Sequence, residues 1–479
     1  MKTLHIIFPV CLFKKNPHLD GKDIALVEEK VNFTYLNYHK LKIVLHRATM
    51  KKYFDTLKVK HKKYYEFDTD EIDIIKNYSC VEFIDPCDYL IVNKWQKLCK
   101  KEGIELTILP TLNFLIDPTE YTGPYYHDRS FYPFMRKKLD VLMVGDKPKG
   151  GQYSFDKENR KALPKNIKLP ANPKKVNNSY VREAKKYTER HFSDNVGEID
   201  EFIYPIDSKS ATNWMKKFCE ERLKHFGTYE DAMDDTSVML YHSCLAVSLN
   251  TGLITDRDVL DYVSTQKVEI NNLEGFIRQL IGWRNYVYTI YVKEGEKIRK
   301  MNFFEHKRKL SEKWWKGETG MPIVDMTIKK INRYAYAHHI ERLMVLGNFM
   351  LICQINPQEV MDWFQGFVSI DAYDVFMVPN VLGMSQHADG GITMTRPYFS
   401  SSNYINKMYG KKVKSEINLK SGTYQWDEVW DAVYYSFINK HKDYLEKNYS
   451  TAQQVSHWKK KTNKKEILEL AEEYLKWLN

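Results

Sequence analysis

Four stretches of this chain set polar side chains of reactive type amid apolar sequence, and each suits a definable chemistry. In Tyr241-His242-Ser243-Cys244-Leu245, the His-Ser pair suits a phosphate, held by the hydroxyl and by backbone N–H groups at a helix start. A capping or core role explains the same pair. In the run Glu274 to Tyr286, Arg278, Gly282 and Tyr286 share one helical face, and Gly282 admits either a planar ligand or a second helix. In Asn332 to Arg342, the neighbours His338 and His339 point about 100° apart on a helix, which makes them poor zinc partners. One of them, facing a pocket, suits a general acid. The fourth stretch runs from Ile370 to Asp374, through Val378–Gly391, to Arg396–Ile405. Its aromatic, Ser/Asn-rich and Gly-flanked character beside Lys407, Lys411 and Lys412 suits base stacking and phosphate binding. An ordinary long loop has the same composition.

These side chains need elements to position them. The first part of the chain reads as alternating strands (Ile6–Pro9, Ile24–Val27, Tyr64–Phe67, Cys80–Ile84, Ile104–Leu109) and helices (Tyr38–Leu57, Asp70–Asn77, Asp88–Lys101). That order predicts an α/β domain with a parallel, Rossmann-like sheet over 1–130. No GxGxxG and no GxxxxGK[ST] accompanies it. From Asp140 to Asn178 lysines and prolines dominate, so 131–195 reads as a basic connector: a solvated linker or a phosphate-contacting arm. After Ser179 the pattern is helical, including Tyr180–Arg190, Lys209–Phe226, Val238–Leu249, Leu273–Val292, Pro322–Ala335, His339–Ile352, Pro357–Phe367, Val429–His441 and Lys465–Leu478. A large all-α domain is expected over 196–479.

Composition narrows the classes. With 479 residues, 43% hydrophobic and 14% aromatic, the chain can bury a sizeable core. Its net charge of +11 suits a polyanion such as nucleic acid. Seven cysteines without a CxxC pair argue against a disulfide scaffold, a zinc ribbon or a redox dithiol. The apolar run Leu4–Phe13 is broken by Pro9 and reads as a buried first strand, so no membrane segment and a cytoplasmic location are expected.

Taken together, Glu274–Arg284, Ala335-Tyr336-Ala337-His338-His339-Ile340-Glu341-Arg342, Pro379–Gly391 and Ser402-Asn403-Tyr404-Ile405 resemble the cryptochrome/photolyase superfamily, and within it the bacterial (6-4) photolyase branch of iron–sulfur type. The resemblance implies the photolyase fold, with a U-shaped FAD in the helical domain, UV-damaged DNA as partner, and a monomer. It implies electron donation from excited reduced flavin to a flipped-out (6-4) photoproduct. His339 matches the proton donor, and His338 a support on the flavin and lesion side. His242, Ser243 and Leu245 match the phosphate-side segment, Gln279 and Arg284 the helix over the cofactor, and Arg342 and Asp371 a charge pair beside the flavin ring. Asp374 and Asn380 fall in the same cofactor-binding region. Tyr398 and Tyr404 match lesion-facing aromatics, Trp315 and Trp363 electron carriers, and Asn403, Lys407, Lys411 and Lys412 the DNA side.

Two departures stand out. The positions that match the four cluster cysteines read Ile323, Gly410, Val413 and Glu428, so no iron–sulfur cluster is expected. Near the N-terminus, Pro9-Val10-Cys11-Leu12 replaces a Gly-Asp-Gln-Leu turn that helps hold a 6,7-dimethyl-8-ribityllumazine antenna, while Glu28 keeps the position of one antenna contact. A cryptochrome-like photoreceptor without repair is the alternative reading. Cyclobutane-dimer repair is disfavoured, because it has no need of the His pair.

Overall fold

A computed structural model describes residues 2–411 and 413–479. Five short strands, β1 (Thr3–Ile7), β2 (Asp23–Val27), β3 (Lys62–Tyr65), β4 (Cys80–Ile84) and β5 (Glu105–Leu109), form one parallel sheet in the order β3-β2-β1-β4-β5. The central register pairs Ile6 with Ala25 on one side and with Phe83 on the other. Leu4, Ile6, Ile7, Ala25, Leu26, Val81 and Phe83 are all buried, as expected for a parallel sheet covered on both faces. The crossover helices begin where short acidic side chains take up free N–H groups. Asp70 caps Glu71–Ile75, and Asp88 accepts from Leu90 N and Ile91 N to start Tyr89–Glu102.

The basic connector is pinned, although most of its lysines are exposed. Phe155 N donates to Glu274 Oε2 at 3.0 Å, and Asn159 Nδ2 donates to Glu230 Oε2 at 2.9 Å. Further on, the helix Ser179–His191 packs on Lys40–Thr56, where Glu183 pairs with Arg47 at 2.7 Å. A freely solvated linker is therefore the wrong picture for this segment.

The remainder is helical and ends in the long helix Trp426–Lys447 and the helix Lys464–Leu478. Most of the helices expected from spacing are present. Val238–Leu249 is the exception: only Ala246–Asn250 is helical, because Leu240 and Cys244 adopt left-handed backbone (φ 47° and 52°) and turn the chain before it. A hairpin, Glu416–Leu419 with Gly422–Gln425, was not apparent from spacing. The two halves are tied by Lys42, buried on the helix Lys40–Thr56, which donates to the carbonyls of Gln365 (3.1 Å) and Ala372.

Candidate functional site

A cavity of about 770 Å³ opens in the helical half, within the range of cofactor pockets. Five widened, π-helical segments border it: Arg278–Arg284, Glu341–Gly347, Phe364–Val368, Val378–Ser385 and, from earlier in the chain, His127–Phe131. Such turns are rare and concentrate at functional sites, because they re-aim side chains that an α-helix would place elsewhere. The second and fourth lie so close that a Cβ at Gly347 would stand 2.1 Å from Ser385 Oγ. At Gly282 the same test meets His127 Nε2 and Tyr132 at 2.9 Å each. That glycine admits side chains of the N-terminal half rather than a planar ligand.

Ser243, Leu245, Gln279, Arg284, Arg342, Asp371 and Asn380 all line the cavity. Arg284 donates from Nε to Asp256 at 2.7 Å and lies over the rings of Phe114 and Phe376, while its Nη2 has no partner among the described residues. Arg342 donates from Nη2 to Asp371 Oδ1 at 2.9 Å and to Ser369 Oγ at 2.7 Å. Burial pushes the Asp371 carboxyl up, but the Arg342 charge and the Ser369 hydroxyl outweigh it and hold the group below the usual carboxylate value. Asn380 accepts from Trp283 Nε1 at 2.9 Å. An unpartnered guanidinium nitrogen, a buried Arg–Asp pair and apolar walls fit a non-covalent flavin dinucleotide. The structure places two expected residues elsewhere. Asp374 is fully buried off the cavity, paired with Arg299 and accepting from Tyr291 OH at 2.8 Å. His242 sits behind the wall formed by Ser243 and Leu245.

His339, Tyr398, Tyr404 and Lys407 line the same cavity. Ala335 ends the helix Pro322–Tyr334 in left-handed conformation, so His338 lies outside a helix and His339 opens the next one. The two histidines thus do not follow helical spacing. His338 stacks on His242 at 4.5 Å between centroids, and His339 meets the same ring edge-on at 5.2 Å. His339 is open to the cavity, with Nε2 3.5 Å from Asp231 Oδ1. Burial opposes its charge, yet the contact with Asp231 and the charges of Glu230 and Asp231 raise its pKa above 6.5. Burial, followed by its charged neighbours, drives His338 well below that value. The surroundings therefore favour the charged form of His339 and the neutral form of His338.

Several lining residues carried no role in the sequence reading: Asp231, Glu230, Arg160, Asp156, Arg278 and His127. Buried Arg278 lies between Glu274 (3.3 Å), Glu230 (3.5 Å) and Asp156 (3.6 Å). Arg160 brings a cation from the connector to Tyr404's side of the opening.

Of the residues expected to face DNA, Asn403 is exposed on the helix Ser402–Tyr409 but does not line the cavity. Lys411 is held by Asp235 at 2.6 Å and Asp234 at 3.5 Å. Lys412 lies outside the described residues. Trp363 is buried next to Phe364, which lines the cavity, and its ring is 6.3 Å from the partly exposed Trp315.

Glu28 and the four positions that match the cluster cysteines carry groups that do not suit a ligand. Glu28 already accepts from Arg47 (2.9 Å), Tyr64 (2.6 Å), Phe67 N (3.2 Å) and Tyr187 (2.7 Å), which fills its lone pairs. Ile323, Gly410, Val413 and Glu428 offer no thiolate, so they do not fit an iron–sulfur cluster. No helix among the described residues is long and apolar enough to cross a membrane.

Comparisons with known proteins follow the same division. Residues 5–204 match the family described as "Deoxyribodipyrimidine photo-lyase-related protein", and residues 275–413 match the "FAD binding domain of DNA photolyase". Over 469 residues the chain is 32% identical to the (6-4) photolyase of Agrobacterium fabrum (strain C58 / ATCC 33970), covering 92% of each chain. Among solved structures, a bacterial class III photolyase from Agrobacterium tumefaciens superposes with a TM-score of 0.58 at 16% identity, over 95% of this chain and 92% of that one. A cryptochrome from Synechocystis sp. PCC6803 gives 0.54 at 14% identity, over 80% and 82%. At these identities the two structures speak for the fold alone.

Proposed function

The chain belongs to the photolyase and cryptochrome family of flavoproteins, and from that premise we propose that it is a light-driven (6-4) DNA photolyase, acting on a (6-4) pyrimidine-pyrimidone photoproduct flipped out of UV-damaged DNA. The observation that carries this reading is the Asp231–His339 pair in the wall of the cavity that Tyr398, Tyr404, Arg342 and Asp371 also line. FAD, when bound, reduced and excited by blue light, supplies an electron. Everything else falls to the chain's own groups.

Ser243, Leu245, Gln279, Arg284 and Asn380 hold the cofactor in the inner part of the cavity. Arg342 presents positive charge there, kept in place by Asp371 and Ser369. The contact with Asp231 at 3.5 Å and the charges of Glu230 and Asp231 favour the charged form of His339, which suits it to give a proton to a substrate heteroatom in the cavity. His338, neutral and buried, backs the His339 ring without competing for the proton. Tyr398 and Tyr404 give a flipped base an aromatic wall, and Lys407 with Arg160 supplies cations at the opening. Trp363 and Trp315 connect the cavity wall to the surface for reduction of the cofactor.

The test is repair of matched oligonucleotides carrying one (6-4) photoproduct or one cyclobutane dimer, with photoreduced protein under blue light and a dark control. Light-dependent loss of the (6-4) lesion alone is expected, abolished by His339→Asn with FAD still bound. Repair of neither lesion by FAD-loaded, photoreducible protein would favour the photoreceptor reading, for which the neutralised Lys411 speaks.

A further inference from the structure

Lys42 buries a cation at the junction of the two halves. It stands in the helix Lys40–Thr56 with 1% of its surface exposed. Its ammonium donates to Gln365 O at 3.1 Å and to Ala372 O, and lies 4.8 Å and 4.6 Å from the ring centroids of Tyr38 and Tyr373. Asp371 and Asp88 act on it only as charges, without a bond. Taking an ammonium out of water without a bonded counter-ion is costly, which makes such a group rare in a core. Burial brings Lys42 down to about 7, although both carboxylates favour its proton.

Both acceptor carbonyls belong to the wall of the cavity. Gln365 lies in Phe364–Val368, whose first residue lines it, and Ala372 directly follows the lining residue Asp371. His39 N braces the first stretch by donating to Gly366 O at 2.7 Å, and a Cβ at Gly366 would stand 3.1 Å from Asn37 O. The second stretch is tied by Asn250 Nδ2 to Asp371 O at 2.8 Å and by Ile370 N to Ala335 O at 2.9 Å. Among these ties only Lys42 carries a charge and bridges both stretches.

We propose that Lys42 is a positioning residue for the cofactor side of the cavity: from the α/β half it clamps Phe364–Val368 to the Asp371 loop, and its charge steadies the carboxylate that pairs with Arg342. This assignment rests on the cofactor placement proposed above. Charge-assisted bonds are the stronger ones. Loss of the Lys42 proton as pH rises through neutral therefore slackens both carbonyl contacts and removes a cation acting on Asp371. The other titratable groups that face Lys42 do not change charge with it. Burial holds His46 neutral and keeps the Tyr38 and Tyr373 hydroxyls protonated. Asp371 stays ionised beside Arg342, and Asp88, pushed up by burial to about 6, has taken its charge before Lys42 gives up its proton.

The test follows FAD release from FAD-loaded protein on dilution in the dark, from about pH 6 to about pH 8.5, a range that spans the titration of a lysine brought this low. In the wild type, release quickens as pH rises through neutral. In Lys42→Met and Lys42→Gln release is about tenfold faster at the acid end, as for loss of one bond to a charged group, and the step at neutral pH is gone. Glutamine keeps an N–H donor for the carbonyls without a charge, so it separates the proton from the packing and serves where the methionine variant does not fold. A wild type without the step, a step that survives in Lys42→Gln, or wild-type retention in both variants overturns the proposal. FAD-loaded protein that repairs neither lesion would count against the photolyase reading, while the release data would still decide the role of Lys42. A chain that takes up no FAD would overturn the cofactor placement and that role together.

Discussion

Asp231 Oδ1 lies 3.5 Å from His339 Nε2 across the opening of the cavity, although the two residues sit on unconnected segments. Desolvation within the cavity lowers the His339 pKa, and the two neighbouring carboxylates outweigh it and raise it above the ordinary 6.5. A raised pKa keeps the donor protonated at low pH and surrenders it as pH rises through the raised value. Repair by pre-reduced protein is therefore expected to hold below pH 6.5 and to decline on the alkaline side. Asp231→Asn moves that decline to lower pH. A pH–rate profile of the two proteins checks this, and a limb that does not move would remove Asp231 from control of the proton.

Arg342 and Asp371 are coupled more tightly, through contacts at 2.9 and 3.4 Å, with Ser369 bridging. Asp371→Ala leaves a largely buried guanidinium without its counter-charge. Removing one partner of a buried pair costs about 3–5 kcal/mol, and the low end applies because Arg342 keeps an edge toward the cavity. Urea unfolding of FAD-loaded protein should show the loss, together with faster FAD release on dilution. Wild-type stability with wild-type FAD retention would place the pair outside cofactor binding.

Trp363 and Trp315 both pack on Phe367, with centroids 5.5 Å from it. If they carry electrons from the surface, Trp315→Phe or Trp363→Phe slows light-driven reduction of the bound flavin. Repair by chemically pre-reduced protein stays unchanged. Equal photoreduction rates in all three proteins would show that reduction takes another route.

Lys407 and Lys411 share one stretch of sequence but not one role. Lys407 reaches the cavity opening, whereas Lys411 is neutralised by Asp234 and Asp235. Lys407→Ala should weaken damaged-DNA binding and reduce the slope of log K against log salt by about one. Lys411→Ala should change neither by much. Fluorescence anisotropy across a salt series separates the two, and equal effects would show that the Asp pair opens on DNA binding.

The sheet was legible because its strands are short apolar runs punctuated by capping residues such as Asp70 and Asp88. The expected helix Val238–Leu249 failed because apolar spacing carries no sign of left-handed backbone at Leu240 and Cys244. The widened turns around the cavity were equally silent, since their register comes from packing such as Gly347 on Ser385. Asp231 carried no signal of its own, because its partner His339 is distant in sequence and no local spacing connects them. The pairing of Lys411 with Asp235 was hidden for the same reason.

Trp426 explains how the region matched to the cluster ligands is held by protein alone. It is buried, donates from Nε1 to Val413 O at 3.0 Å, and meets Trp430 edge-on at 6.1 Å between centroids. Trp430 in turn donates to Ser400 O at 3.0 Å, so the two rings anchor both ends of the segment that carries Tyr404 and Lys407. The adjoining hairpin closes against the C-terminal helix, where Ser421 N donates to Glu473 at 3.0 Å. Trp426→Ala removes both the packing and the hydrogen bond, and truncating a buried tryptophan costs about 3–5 kcal/mol. Trp426→Phe keeps most of the packing and should lose less, chiefly the bond worth about 0.5–1.5 kcal/mol. Urea denaturation orders the three proteins, and lesion binding should fall in the same order, because displacement at Val413 is passed to Tyr404 and Lys407. An alanine variant as stable as the wild type would mean that another contact holds this wall.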